Sequence, residues 1–144
     1  MQRYGETQLI FGKVQCLHVR EALFDDYRIR LMQPGDYAAI GEICRVVYPH
    51  DTPYTPAELD AHRTVYPQGQ FVAEHVPTST PVGVHFTLRL RMADYHVDDS
   101  WDVLTAHGTF ADHDPAGHTL YGADVFVSPA HQHHGRSEEH TSEL

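Results

Sequence analysis

The chain has 144 residues, with 10 Lys and Arg against 20 Asp and Glu, 13 His and 2 Cys, and a formal charge of −10. That length holds one domain with a modest core, and the acidic balance excludes a binder that grips phosphate backbones through a basic surface. Cys16 and Cys44 are too few and too far apart for a disulfide framework or a Cys-rich zinc site, no apolar run approaches the roughly 18 residues of a membrane span, and no signal-peptide core opens the chain, so the expected address is cytoplasmic.

Residues 1–26 are patterned only by Leu9-Ile10-Phe11 and a second cluster at Val14 to Leu17. They read as a short strand or added helix, or as an upstream extension from a misplaced start codon, and no function is assigned to them. From Tyr27 the signals sharpen. Tyr27-Arg28-Ile29-Arg30-Leu31 alternates as a strand, and Gln33-Pro34-Gly35-Asp36 opens a helix with Pro at its start. Ile40, Ile43, Cys44 and Val47 recur at helical spacing and form one apolar face, which makes Cys44 a core residue. After a turn through Pro49 to Tyr54, Thr55-Pro56-Ala57-Glu58 has the spacing of a capping box, so Glu58 is expected to serve structure.

Gln70 to Glu74 and Val82 to Met92 alternate as two strands joined by the polar turn Pro77 to Pro81. A long irregular excursion, Asp94 to Asp114, contains Trp101, read as a packing anchor. A final apolar strand then runs from Leu120 to Val127. The order strand, helix, helix, strand, strand, excursion, strand predicts an α+β or α/β domain, with a mainly antiparallel mixed sheet and helices packed on it.

The last strand passes through Ser128 and Pro129 into Gln132-His133-His134-Gly135-Arg136-Ser137. Consecutive backbone N–H groups in such a turn make a concave donor site for pyrophosphate oxygens, provided the side chains are small. This segment resembles the acetyl-CoA loop of the GNAT acetyltransferase superfamily, whose pattern is Gln/Arg-x-x-Gly-x-Gly/Ala. Gln132 and Gly135 match, and Ser137 stands where Gly or Ala is usual. A long amphipathic helix is expected after such a loop, and the nine residues from Arg136 to Leu144, RSEEHTSEL, instead resemble the in-frame translation of a common sequencing-library adapter; a natural polar tail is the alternative. The expectation is therefore a truncated GNAT domain over 27–136, without its C-terminal helix and strand and inactive as it stands, and an artefactual tail over 137–144. Leu120, Val125 and Val127 would then face an uncovered sheet surface.

A particular branch is also resembled, the N-terminal acetyltransferase domain of GNAT/carbon-nitrogen hydrolase (nitrilase) fusion proteins. The matching words are Val47-Tyr48-Pro49, Pro53-Tyr54-Thr55 and Tyr66 to Glu74, then Trp101 with Thr105 to Gly108, His113-Asp114-Pro115 with Gly117, and Leu120 to Asp124. The resemblance implies acetyl transfer from acetyl-CoA to an amine, with no resident metal, and a nitrilase-like domain downstream as partner. An alkylammonium, with a pKa near ~10.4, must lose a proton before it attacks, and the thioester carbonyl then develops negative charge. Tyr121 and Asp124 are the candidate bases. Val125, Phe126 and Val127 are expected to face the thioester, and Gln132, His133, His134, Gly135, Arg136 and Ser137 the pyrophosphate. Two other readings stand beside this one: a non-catalytic acyl-CoA-binding regulatory domain, and a metal site built from His131, His133 and His134 with Asp112, His113, Asp114 and His118.

Overall fold

A computed structural model describes residues 26–132. The expectations for 1–25 and for 133–144, including His133, His134, Gly135, Arg136 and Ser137, lie outside the described residues. Strand β1 (Tyr27–Leu31) leads through a 3-10 turn (Pro34–Asp36) into α1 (Tyr37–Val47), followed by α2 (Pro56–Val65). Strands β2 (Gln70–His75) and β3 (Thr80–Leu90), the short helix α3 (Trp101–Leu104) and β4 (Thr119–Val127) complete the order. The four strands lie in sequence order and every pairing is antiparallel. Both β2 and β3 are central, which suits their runs of β-branched and aromatic residues.

One face of the sheet makes the core. Val72 of β2, Val84, Phe86, Leu88 and Leu90 of β3, and Phe126 of β4 alternate inward and meet Ile40, Ile43 and Cys44 of α1 and Leu59 of α2. The helical spacing read from α1 and the strand period of two therefore converge on the same layer. Cys44 is buried, as expected. Thr55 caps α2 by accepting from the Glu58 N–H, while a Glu58 oxygen accepts the Thr55 N–H at 2.7 Å, so the capping box forms. At the β1 edge, ion pairs replace apolar packing. Arg30 donates to both oxygens of Asp36, at 2.7 and 2.8 Å, and to Glu74 at 2.6 Å, tying the strand to the entrance of α1.

The opposite face is open at both edges: Ile29 and Leu31 on β1, and Leu120 and Val125 on β4, are exposed, while Val127 is half-buried. Among the described residues no helix is long and apolar enough to cross a membrane.

The strand β4 carries the irregularity that matters for the site. Phe86 pairs with Asp124 and Thr87 with Gly122, so Ala123 is an extra residue without a partner on β3. Residues 121 and 124 are an odd number apart and would face opposite sides of a regular strand. The bulge brings both to the helix-covered face, where Tyr121 pairs with Leu88 and Asp124 with Phe86.

Candidate active site

Helix α1 ends where Tyr48 takes a non-helical conformation, and the chain returns to α2 through Tyr54 just ahead of the capping box. The two tyrosines thus flank one loop, and both aim at β4. The Tyr54 hydroxyl donates to one oxygen of Asp124 at 2.9 Å, and the Tyr48 hydroxyl reaches the other at 3.3 Å. The carboxylate lies at the base of a cleft of about 370 Å³ lined by Tyr48, Asp51, Tyr54, Glu58, Trp101 and Asp124. Burial pushes the Asp124 carboxyl above its ordinary value and outweighs the two tyrosine hydrogen bonds that pull the other way. Burial, reinforced by the Asp124 charge, pushes Tyr48 up to about 12 and drives Tyr54 higher still. Both phenols therefore remain protonated donors at neutral pH. Asp124 is the member of the trio able to accept a proton, and its raised pKa makes it a better base than a solvated carboxylate.

Trp101 forms another wall of the cleft. Its indole N–H donates at 2.8 Å to the carbonyl of Ala123, the residue that the bulge adds to β4. The ring is held from behind by a tight turn in which Ala106, His107, Gly108 and Phe110 all have positive φ. A Cβ at Gly108 would come within 3.1 Å of the Trp101 ring, which leaves glycine as the residue that fits. Under this turn His62 of α2 is fully buried, stacked on Phe110 with ring centroids 3.8 Å apart. Trp101, read from the sequence as a packing anchor, is instead 36% exposed, stands outside the buried core and lines the cleft.

His62 makes a pH signature expected. Burial pushes its pKa below the ordinary histidine value, so the unfolded chain binds a proton that the folded chain resists. The stability is then full above the unfolded value near ~6.5 and falls as pH drops below it, toward the lowered folded pKa, at up to about 1.4 kcal/mol per pH unit. His85 and His113, also shifted down chiefly by burial, act in the same direction. Urea unfolding from about pH 7.5 to 5.5 checks this; a flat profile would mean that His62 titrates freely.

Of the residues predicted from sequence, Asp124 and Tyr121 come to one face, with Asp124 in the cleft and Tyr121 half-buried against the core. Val125 is exposed, Phe126 is buried in the core, and Val127 lends its carbonyl to the Gln132 side-chain amide at 2.9 Å. The sequence reading missed Tyr48 and Tyr54 as partners of Asp124. Their signal was positional, since both bracket the turn between the two helices. Among the described candidates for a metal site, His131 and His113 lie apart: His131 stacks edge-on to Tyr27 near the start of β3, whereas His113 stacks on Tyr66 and accepts the Arg89 N–H near the end of that strand. Among the described residues no group of three His, Cys, Asp or Glu could hold a metal ion.

An antiparallel four-stranded sheet with helices on one face and a bulged fourth strand is a GNAT-like fold, and solved GNAT-like domains share it. The GphF GNAT-like decarboxylase, solved in complex with isobutyryl-CoA, superposes with a TM-score of 0.57 at 27% identity, covering 74% of this chain and 51% of that one. The loading GNATL domain of CurA from Lyngbya majuscula gives 0.61 at 18% identity, covering 76% and 51%. In sequence, 104 residues are 27% identical to the "Probable hydrolase YhcX" of Bacillus subtilis (strain 168), spanning 72% of this chain and 20% of that protein. The chain thus spans about half of each solved structure and one fifth of the hydrolase. No protein-family model matches it.

Proposed function

We propose that this chain is an acyl-CoA-dependent acyltransferase domain that moves an acetyl group from acetyl-CoA to an amine, with Asp124 as general base. The observation that carries the reading is the Asp124 carboxylate, raised in basicity and held by two tyrosine hydroxyls at the base of an aromatic-walled cleft. In this reaction Asp124 takes a proton from the ammonium, the free amine forms a bond to the thioester carbon, and the C–S bond breaks to release the CoA thiolate, which takes up the second proton that the nitrogen gives up as it becomes an amide. β4 lies at the sheet edge, so alternate N–H groups along it are free of β3. One of those in Val125 to Val127 would stabilise the oxyanion, and Gln132 to Ser137 would hold the pyrophosphate. The isobutyryl-CoA bound by the GphF domain supports a CoA thioester as cosubstrate.

Electrostatics favour an amine acceptor over an acyl-CoA that loses carbon dioxide, the reaction class in the name of GphF. Asp51, Glu58 and Asp124 line the cleft, and no Lys or Arg does so among the described residues. A cationic amine is attracted there, and its hydrocarbon part meets Tyr48, Tyr54 and Trp101. An acyl-CoA bearing a free carboxylate on its acyl group is repelled. The match to one fifth of a probable hydrolase supports the fusion reading, in which a nitrilase-like domain belongs to the same longer protein.

Incubation of the full-length protein with acetyl-CoA and a panel of small primary amines, with released CoA captured by a thiol reagent, tests the proposal. Amine-dependent CoA release is the expected result. Saturable acetyl-CoA binding without release on any amine would favour a regulatory acyl-CoA-binding domain, and amine-independent loss of carbon dioxide from a carboxylated acyl-CoA would overturn the acyltransferase reading.

A further inference from the structure

We infer that His62 is a positioning residue: the hydrogen bond from its ring to the Gly108 carbonyl clasps the left-handed turn that presses Trp101 against β4, and so fixes the tryptophan wall of the cleft beside Asp124. The functional part of this inference rests on the reading of that cleft as the acceptor site.

The histidine is unusual for its surroundings. Its ring stacks on Phe110 and meets Phe86 and Tyr54 edge-on, with centroids 5.5 and 5.7 Å away. A phenylalanine would fill such an apolar box without burying any polar atom. Instead the chain buries two ring nitrogens, of which Nδ1 has no partner. The other, Nε2, lies 2.6 Å from the Gly108 carbonyl oxygen. A carbonyl only accepts, so Nε2 carries the hydrogen and Nδ1 is left as a bare acceptor. Packing does not account for a histidine here, whereas the bond to Gly108 does.

What that bond secures is a conformation the chain would otherwise avoid. Ala106, His107 and Gly108 follow one another at φ of 50°, 58° and 78°, a region that residues with a Cβ rarely occupy. The Thr105 hydroxyl accepts the Gly108 N–H at 2.9 Å and donates to the Trp101 carbonyl at 2.7 Å, so the turn and the tryptophan are joined. On its other side the indole N–H is bound to Ala123, next to Asp124. The path from α2 to the carboxylate is therefore continuous: His62, Gly108, Trp101, Ala123, Asp124.

Trp101 is the one tryptophan of the chain, so its emission reports the wall without any turnover. Two substitutions separate the ring from its hydrogen bond. His62→Phe keeps an aromatic ring on Phe110 and loses the donor; His62→Gln keeps an N–H for Gly108 and loses the ring. The expected result is that H62F shifts Trp101 emission to the red, increases its quenching by acrylamide and raises KM for the amine about 10-fold with kcat little changed, while H62Q stays close to wild type in all of these. H62F with wild-type emission and wild-type KM would overturn the inference, as would H62Q and H62F behaving alike. Should H62F fail to fold, Thr105→Val removes the hydroxyl that joins the turn to Trp101; a red-shifted emission supports the clasp and an unchanged one overturns it. Altered emission in H62F, together with no amine turnover by the wild type, would support the clasp and remove only the acyltransferase reading.

Discussion

Replacing Asp124 by Asn is expected to lower the rate of amine acetylation by about 100- to 10,000-fold, the range for loss of a general base, without lowering the melting temperature. Asn retains a carbonyl oxygen for the Tyr54 hydroxyl, so the cleft keeps its shape. The two effects separate because the carboxylate is held against its preference. Its folded pKa is raised, chiefly by burial, so the folded state opposes ionisation. Its stability contribution is full at pH below the unfolded value of ~3.9 and is lost as pH rises through the folded pKa. At neutral pH an uncharged Asn escapes that cost. Steady-state kinetics and thermal melts on the same preparations check both halves. Activity within about threefold of wild type would remove Asp124 as the base, and a large drop in melting temperature would make its bonds from Tyr48 and Tyr54 structural ones.

The largest stability effect is expected at Phe86. The ring has no exposed surface and packs against Tyr54, His62 and Phe126, with centroids 5.3, 5.5 and 6.2 Å away. Truncation to Ala removes these contacts and leaves a cavity between β3 and the two helices, at a cost of about 3 to 5 kcal/mol. That is a large share of the roughly 5 to 15 kcal/mol that holds a domain folded. Phe86→Leu, which keeps most of the apolar volume, is expected to cost about 1.5 kcal/mol or less. Urea unfolding measures both. Because Phe86 pairs directly with Asp124, F86A should lose activity together with stability, the reverse of the pattern at Asp124. A cost below about 1 kcal/mol for F86A would mean that the three aromatic neighbours close over the gap.

The elements read from periodicity formed where expected, since the signals involved are local: Pro34 opening the entry to α1, the Thr55 to Glu58 box, and the alternation through β2 and β3. Shifts were confined to ends, with β3 beginning at Thr80 instead of Val82 and closing at Leu90 instead of Met92. The excursion after β3 was read as irregular and carries α3, a single turn started by the Ser100 side chain. The site was less legible. Asp124 stood out as a charged residue in an apolar strand, but nothing adjacent to it shows that Tyr48 and Tyr54, some 70 residues earlier, reach its oxygens. His62 was not singled out from the sequence. Its burial depends on Phe110, which arrives from a segment whose left-handed backbone has no periodic signature.

The extra residue in β4 has a use beyond this molecule. Dropping Ala123 would leave an unbroken strand with the inward and outward sets on either side unchanged, because a bulge adds a residue without reversing the pattern that follows. Such a shortened chain would keep its core and lose the carbonyl on which the indole rests. Among related chains, then, the spacing between the counterparts of Tyr121 and Asp124 becomes a ruler: three positions apart, the two face one side and the tryptophan has its dock; two apart, the sheet survives and the dock is gone. A simple count of residues would sort those that can build this cleft from those that share only its scaffold.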